Sequence, residues 1–114
     1  MSTPAEMAIE RLGSGVVARL SGEVDMTNAG YVRDELLAAV PNDALTLVID
    51  LSECRYLDSA AIEVVFDLSR RLARRRQELR LVVPDDSPLR RVLTLTDVNS
   101  VAPVHQSLDA ALGD

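Results

Sequence analysis

Lysine and tryptophan are absent from this chain, and cysteine and histidine occur once each. All twelve cations are therefore arginine, set against 18 acidic residues for a formal net charge of −6. A net acidic surface repels a phosphate backbone, and an aromatic content of 3% removes the stacking platforms that single strands need, so no nucleic-acid partner is expected. Cys54 alone excludes an internal disulfide and falls far short of a zinc cluster; it reads as a small residue at a strand end. His105 has no second histidine or cysteine with which to relay protons or share a metal, and it reads as a surface or loop residue. With no phosphate-cradling glycine loop, no Ser/His/Asp set and no metal-ligand spacing, neither an enzyme nor a cofactor is expected. No run approaches the roughly 18 to 20 apolar residues of a membrane span. The opening, MSTPAEMAIER, lacks the basic-then-apolar layout of a secretory signal, so a cytoplasmic location is expected.

What is present is ordinary for a folded protein. Hydrophobic residues make up 47% of the 114 positions and charged residues 26%, and no linker, repeat or low-complexity segment interrupts them, so residues 1–114 are expected to form one domain. Ile9–Leu12 and Val16–Leu20 flank Gly13-Ser14-Gly15, a hairpin whose glycines supply positive φ. After Gly22-Glu23-Val24-Asp25 a helix starts at Thr27 or Asn28, turns Ala29, Val32, Leu36, Leu37 and Val40 to one face, and stops at Pro41. Leu45–Leu51 is almost continuously apolar, as in a central strand buried on both faces, and is followed by a polar turn. A second helix is expected over about residues 59–77, a strand over Leu79–Pro84, and a third helix opened by Ser87-Pro88 with Leu89, Val92 and Leu93 inward. A short strand at Val101–Val104 and a last helix capped by Ser107, carrying Leu108, Ala111 and Leu112, complete the order ββαβαβαβα. This is an α/β fold with a mixed, mostly parallel sheet and helices packed against it.

The second helix carries most of the functional signal. Placed at 100° per residue from Ser59, Ala61, Val64, Val65, Leu68 and Leu72 fall between about 140° and 240°, the expected core face. Glu63, Asp67, Arg70, Arg71 and Arg74 fall between about 20° and 120°, with Asp67 spaced to pair with Arg70 and Arg71. Ile62, Phe66 and Ala73 fall between about 300° and about 340°, beside Ser59 and off that core stripe. Either the helix is buried over a wide arc or these residues form a partner-binding patch. The cluster Arg70, Arg71, Arg74, Arg75, Arg76 complements the macrodipole at the helix C-terminus or serves binding. Ser59, behind the N-cap Asp58, is either an ordinary first-turn serine or a functional one.

Taken together, Gly22-Glu23-Val24-Asp25, then Val48-Ile49-Asp50-Leu51, then Leu57-Asp58-Ser59, with "LRRVLTLTDVNSV" and "SLDAAL" beyond them, resemble the STAS-domain anti-sigma factor antagonists over nearly the whole chain. The resemblance implies the STAS fold. It also implies that a partner anti-sigma factor serine kinase phosphorylates Ser59, and that only the unphosphorylated protein binds the kinase and releases a sigma factor. Asp58 and Asp25 are then the acidic neighbours of Ser59, and the partner surface is expected from Asp25, Met26, Thr27, Asn28, Asp58, Ser59, Ile62, Glu63 and Phe66. The other reading is a constitutive STAS adaptor, a subunit of a transporter or signalling complex, with Ser59 unmodified. Two departures stand out. The family's Asp-Ser is usually followed by Ser or Thr and then Gly, where this chain has Ala60 and Ala61, leaving Ser59 as the motif's sole phosphoacceptor. Alanine for glycine at 61 favours the helix by up to about 1 kcal/mol and adds a methyl that the wheel points at the core. Asp97 stands where the family often has glycine after the third helix.

Overall fold

A computed structural model describes residues 4–113. Strands β1 (Glu6–Leu12) and β2 (Gly15–Val24) form the expected hairpin, with Leu12 opposite Gly15. Of the two glycines at its turn Gly13 has positive φ, at 63°, the first-position geometry of a tight two-residue turn, whereas Gly15 is an ordinary buried strand residue. Next come α1 (Ala29–Ala38), β3 (Thr46–Leu57), α2 (Ser59–Arg74), β4 (Glu78–Val82), α3 (Leu89–Leu95), a single 3-10 turn at Val98–Ser100, β5 (Val104–His105) and α4 (Leu108–Leu112).

The five strands lie in sequence order, β1 antiparallel to β2 and every later neighbour parallel. Successive parallel crossovers of one hand, stepping in one direction, place their helices on one face. The core bears this out: Val16, Ala18 and Leu20 of β2, Leu47, Ile49 and Leu51 of β3, and Leu79 and Leu81 of β4 bury together with Val32 and Leu36 of α1 and Leu68 and Leu72 of α2. On the opposite face Val17, Val48 and Val82 pack with Ala111 and Leu108 of α4. β3 is therefore the expected central strand, apolar toward both layers. Leu68 and Leu72 are fully buried, and each such side chain contributes roughly 1.5–3 kcal/mol.

Three local expectations are corrected. β3 does not end in a turn after Leu51 but continues to Leu57. Its pairing with β2 slips twice, between Arg19 and Ser21 and between Gly22 and Glu23, and Ser52 bonds back to Asp50 Oδ1 through its N–H (3.0 Å) and hydroxyl (2.6 Å). Bulges of this kind put polar residues where alternation would want apolar ones, so the segment reads as a turn. The last strand is Val104–His105 rather than Val101–Val104, because Pro103 has no N–H to give the ladder and residues 98–100 coil into the 3-10 turn. α2 ends at Arg74, a few residues short of the expected 77.

Asp97 takes a φ of 58°, the left-handed conformation that a glycine adopts at no steric cost. Gln77, the buried polar residue, donates from Nε2 to Pro41 O and Ala44 O, both at 2.9 Å, and so fastens the α1–β3 loop to the start of β4.

Gly22 is the glycine with no room to change. Its φ is +88°, and a Cβ there would lie 2.3 Å from Pro4 O and 3.3 Å from Ala5 Cα, both backbone atoms. Gly22→Ala is expected to cost at least about 2 kcal/mol in urea denaturation, through strain at positive φ and displacement of the chain before β1.

Candidate partner-binding site

The parallel pairing of β2 with β3 sets Val24 opposite Leu57, so both strands release their chains at the same edge of the sheet. Each is followed directly by an aspartate, Asp25 and Asp58. Helices α1 and α2 thus start side by side outside the carboxyl ends of the strands, where open α/β sheets place their binding sites.

Asp58 joins the two starts. Its Oδ1 accepts from Ala61 N at 3.0 Å, the N-cap bond of α2, and its Oδ2 accepts from Met26 N at 2.9 Å in the loop before α1. The expected cap is thus also a tether between loops. Asp25 works locally: its Oδ1 accepts from Thr27 N at 2.9 Å and from the Thr27 hydroxyl, and its carbonyl accepts from Ala29 N at 2.8 Å. Asn28 sits at the N-cap of α1 without capping it; its Oδ1 accepts from Asp25 N (2.9 Å) and its Nδ2 donates to Glu23 O (3.0 Å). Loop 25–28 is therefore closed on itself and anchored to the α2 cap.

The anchoring leaves Ser59 outward. Ser59 is exposed, and its hydroxyl makes no hydrogen bond among the described residues. Ala61 behind it is 2% exposed, its methyl in the core as the wheel implied. Beside Ser59 runs a groove of about 590 Å³ between the helices, lined from α1 and its loop by Met26, Gly30 and Arg33, and from α2 by Glu63, Val64 and Phe66 among others. Met26 is 79% exposed, an apolar side chain held out over this groove.

The predicted site residues converge, with one correction. Asp25, Met26, Thr27, Asn28, Asp58 and Ser59 meet at the two helix starts, and Glu63 and Phe66 border the groove. Ile62 does not join the surface: it is 6% exposed and belongs to the core. The buried stripe of α2 is rotated toward Ile62 relative to the expected core face, because Ile62 and Ser69 are covered on that side. The segment after α3 is fastened along this side of the helix, where the Ser69 hydroxyl donates to Val101 O at 2.9 Å. Val64, expected in the core, packs against it but is only half-buried, with one side at the groove. Phe66 is half-buried as well, packed on the core with one side toward the groove. The Asp58–Met26 bond was not foreseen; its signal was the repetition of an aspartate after two apolar strands.

Cys54 is buried in β3, its thiol held above the ordinary range by burial, and donates to Tyr56 O at 3.6 Å. His105 is half-buried in β5, paired with Val82. Among the described residues no cluster of three or more His, Cys, Asp or Glu is placed to hold a metal ion, and no helix is long and apolar enough to cross a membrane.

Asp58→Ala removes both acceptors and is expected to cost about 2–3 kcal/mol; Asp58→Asn keeps one acceptor oxygen and should cost about 1. Chemical denaturation gives both values, and no measurable loss for Asn, which keeps the cap with its one oxygen, would mean the Met26 bond is immaterial.

Hydrogen bonds from the Thr27 side chain and N–H hold the Asp25 carboxyl below its ordinary 3.8. A depressed carboxyl contributes stability that is present above the unfolded value and is lost as pH falls through the folded one. Thr27→Ala should therefore raise the Asp25 midpoint in an NMR titration and destabilise the protein near pH 7, with the gap to the wild type in melting temperature narrowing as pH falls below the folded midpoint.

Comparison with known proteins agrees with this architecture. Residues 6–111 match the STAS domain family. A Bordetella bronchiseptica protein named as an anti-sigma factor antagonist, BtrV, is 29% identical over 107 residues, 93% of this chain and 90% of that one. An anti-sigma factor antagonist from Mycobacterium paratuberculosis superposes with a TM-score of 0.84 at 27% identity, covering 98% of this chain and 96% of the other. The antagonist SpoIIAA in its unphosphorylated form shares the fold, with a TM-score of 0.69 at 20% identity and 93% of each chain covered.

Proposed function

The chain belongs to the STAS-domain family, and on that premise we propose that it is an anti-sigma factor antagonist switched by phosphorylation. Unphosphorylated, it binds an anti-sigma factor serine kinase in the cytoplasm and frees a sigma factor; phosphate on Ser59 ends the binding. The observation that carries this reading is the placement of Ser59, exposed and unbonded at the first position of α2 between the Asp58 tether and the groove under Met26. The relatives named as antagonists support the class of partner.

The geometry is suited to a charge that changes binding without changing the fold. A phosphate on Ser59 sits at a helix N-terminus, where backbone N–H groups and the macrodipole favour an anion. Asp58 turns inward to its two N–H donors, so a group on Ser59 points away from packed atoms and the domain need not open to carry it. A partner laid over Met26, Thr27, Ser59, Glu63 and Phe66 meets the phosphate directly. Phosphorylation adds about −1.5 to −2 charges beside two carboxylates. At about 5 Å and an effective dielectric near 20, each unit of like-charge contact costs on the order of 3 kcal/mol, roughly a hundredfold in affinity. Desolvating the phosphate against apolar partner atoms adds to that cost.

Incubation with the cognate kinase and ATP should add one phosphate by intact mass and none to Ser59→Ala. By isothermal titration, Ser59→Ala should keep the wild-type affinity for the kinase, and Ser59→Asp should lose at least about tenfold with little change in melting temperature. No phosphate on the wild type, with binding retained, would point to the constitutive adaptor; equal affinities for Ala and Asp would return Ser59 to an ordinary first-turn residue.

A further inference from the structure

Helix α2 ends in a run of cations, of which Arg70 alone lines the groove beside Ser59. Arg70, Arg71, Arg74, Arg75 and Arg76 hold five of the chain's twelve basic side chains within seven positions. The structure divides them by task. Arg75 Nη2 donates to Val40 O at 2.8 Å and to Asn42 Oδ1 at 3.2 Å, tying the helix end to the α1–β3 loop. Arg70 and Arg71 share Asp67, at 3.5 and 3.1 Å, yet keep 62% and 48% of their side chains exposed. Arg74 and Arg76 are exposed, and among the described residues neither side chain has an ion pair or hydrogen bond.

Arg76 is the informative one. Its N–H donates to Ala73 O at 3.0 Å, Gln77 N donates to Leu72 O at 2.8 Å, and its φ is 59°. This is a Schellman closure, and the left-handed residue in it is most often glycine, which adopts that backbone without the clash a Cβ brings. The macrodipole does not require a cation here, since Arg71 and Arg74 already occupy the last turn of the helix. An exposed arginine without a partner thus occupies the position where glycine would be the more stable choice, the kind of local strain that accompanies function.

We infer that Arg70, Arg71, Arg74 and Arg76 form a docking surface for an acidic segment of a protein partner. Guanidinium groups match carboxylates two bonds at a time, and planar forks on adjacent turns suit a run of Asp and Glu. From Arg70 to Arg74 the helix rises about 6 Å before the chain turns at Arg76, a span that a short acidic stretch covers in about two extended residues or one helical turn. A nucleic acid would extend beyond the cluster over a chain of net charge −6, with one Phe, two Tyr and no Trp to stack on its bases. Arg70 borders the groove, but the Arg74 end of the surface lies apart from Ser59, since 15 residues of helix put Arg74 about 22 Å from it.

The test is fluorescence anisotropy with a labelled oligoglutamate peptide of about ten residues, long enough to cross the cluster at roughly 3.3 Å per residue. The wild type should bind at low ionic strength, and Arg74→Gln/Arg76→Gln should weaken binding roughly tenfold. Arg11→Gln/Arg19→Gln, which removes the same charge elsewhere, should leave it unchanged. Arg76→Gly should raise the melting temperature while weakening the peptide, a combination that a structural arginine would not produce. The inference is overturned if the wild type ignores the peptide, if the two double variants weaken it equally, if Arg76→Gly lowers the melting temperature, or if labelled single-stranded DNA of matching charge binds as tightly as the peptide.

Discussion

The carboxylate of Asp58 has two acceptor oxygens, and each is committed to a different helix start: Oδ1 to Ala61 N, Oδ2 to Met26 N. Every other feature of the site follows from that arrangement. It is possible only because β2 and β3 run parallel in a register that pairs Val24 with Leu57, bringing the two following residues to the same edge. With Asp58 turned inward, the next residue on the first turn of α2 faces out, and that residue is Ser59. With Met26 N held, loop 25–28 cannot swing over the serine, and the Met26 side chain is directed into solvent beside it. A helix start left with unpaired N–H groups would cost roughly 1–3 kcal/mol for each one buried, so one side chain satisfies a donor at both starts at once.

Helix α2 shows how neighbours decide what a helix offers to a partner. Its apolar residues span more than half of its circumference, too wide a face for the sheet alone. On one side Ile62 is buried and the segment after α3 is fixed to the helix by the Ser69–Val101 bond; on the other, α1 stops short of closing over Val64 and leaves a groove. Apolar surface is therefore removed from the Ile62 side and retained between the helices. The partner surface is consequently narrower than the helical wheel implied and shifted toward α1, which brings Met26 and Gly30 into it.

Much of this was legible in the sequence. The alternation of apolar runs set the element order, the almost continuously apolar Leu45–Leu51 run marked the central strand, and Asp58 and Ser107 were readable as caps; their side chains accept from Ala61 N and Ala110 N. Those features are governed by neighbours a few residues away. What escaped reading depends on residues distant in the chain. Ile62 is buried on the side of α2 where Ser69 bonds Val101, 32 positions further on, and periodicity on a single helix carries no information about its cover. The second half of β3 was hidden by two register slips against β2, and β5 was displaced by a proline whose missing N–H matters only once a ladder exists to need it. Gln77 owes its burial to two loop carbonyls, from Pro41 and Ala44, that lie more than thirty positions before it.

The two ends of α2 are electrostatically opposite, and the distance between them determines whether they can act on one another. Asp25, Asp58 and Glu63 gather at the start and five arginines at the finish, the sense in which side chains complement a helix dipole. At physiological ionic strength the screening length is about 8 Å, so a charge placed on Ser59 is attenuated through nearly three such lengths before it reaches Arg74, about 22 Å away. A phosphate there acts on whatever covers the groove and leaves the arginine end almost unaffected. A partner spanning both ends would lose its contacts at one while keeping those at the other, so added charge at Ser59 would weaken it without fully expelling it. A partner confined to the groove would be released outright. The salt dependence of whatever binding survives phosphorylation therefore distinguishes these footprints, because only the spanning one retains guanidinium–carboxylate pairs for salt to screen.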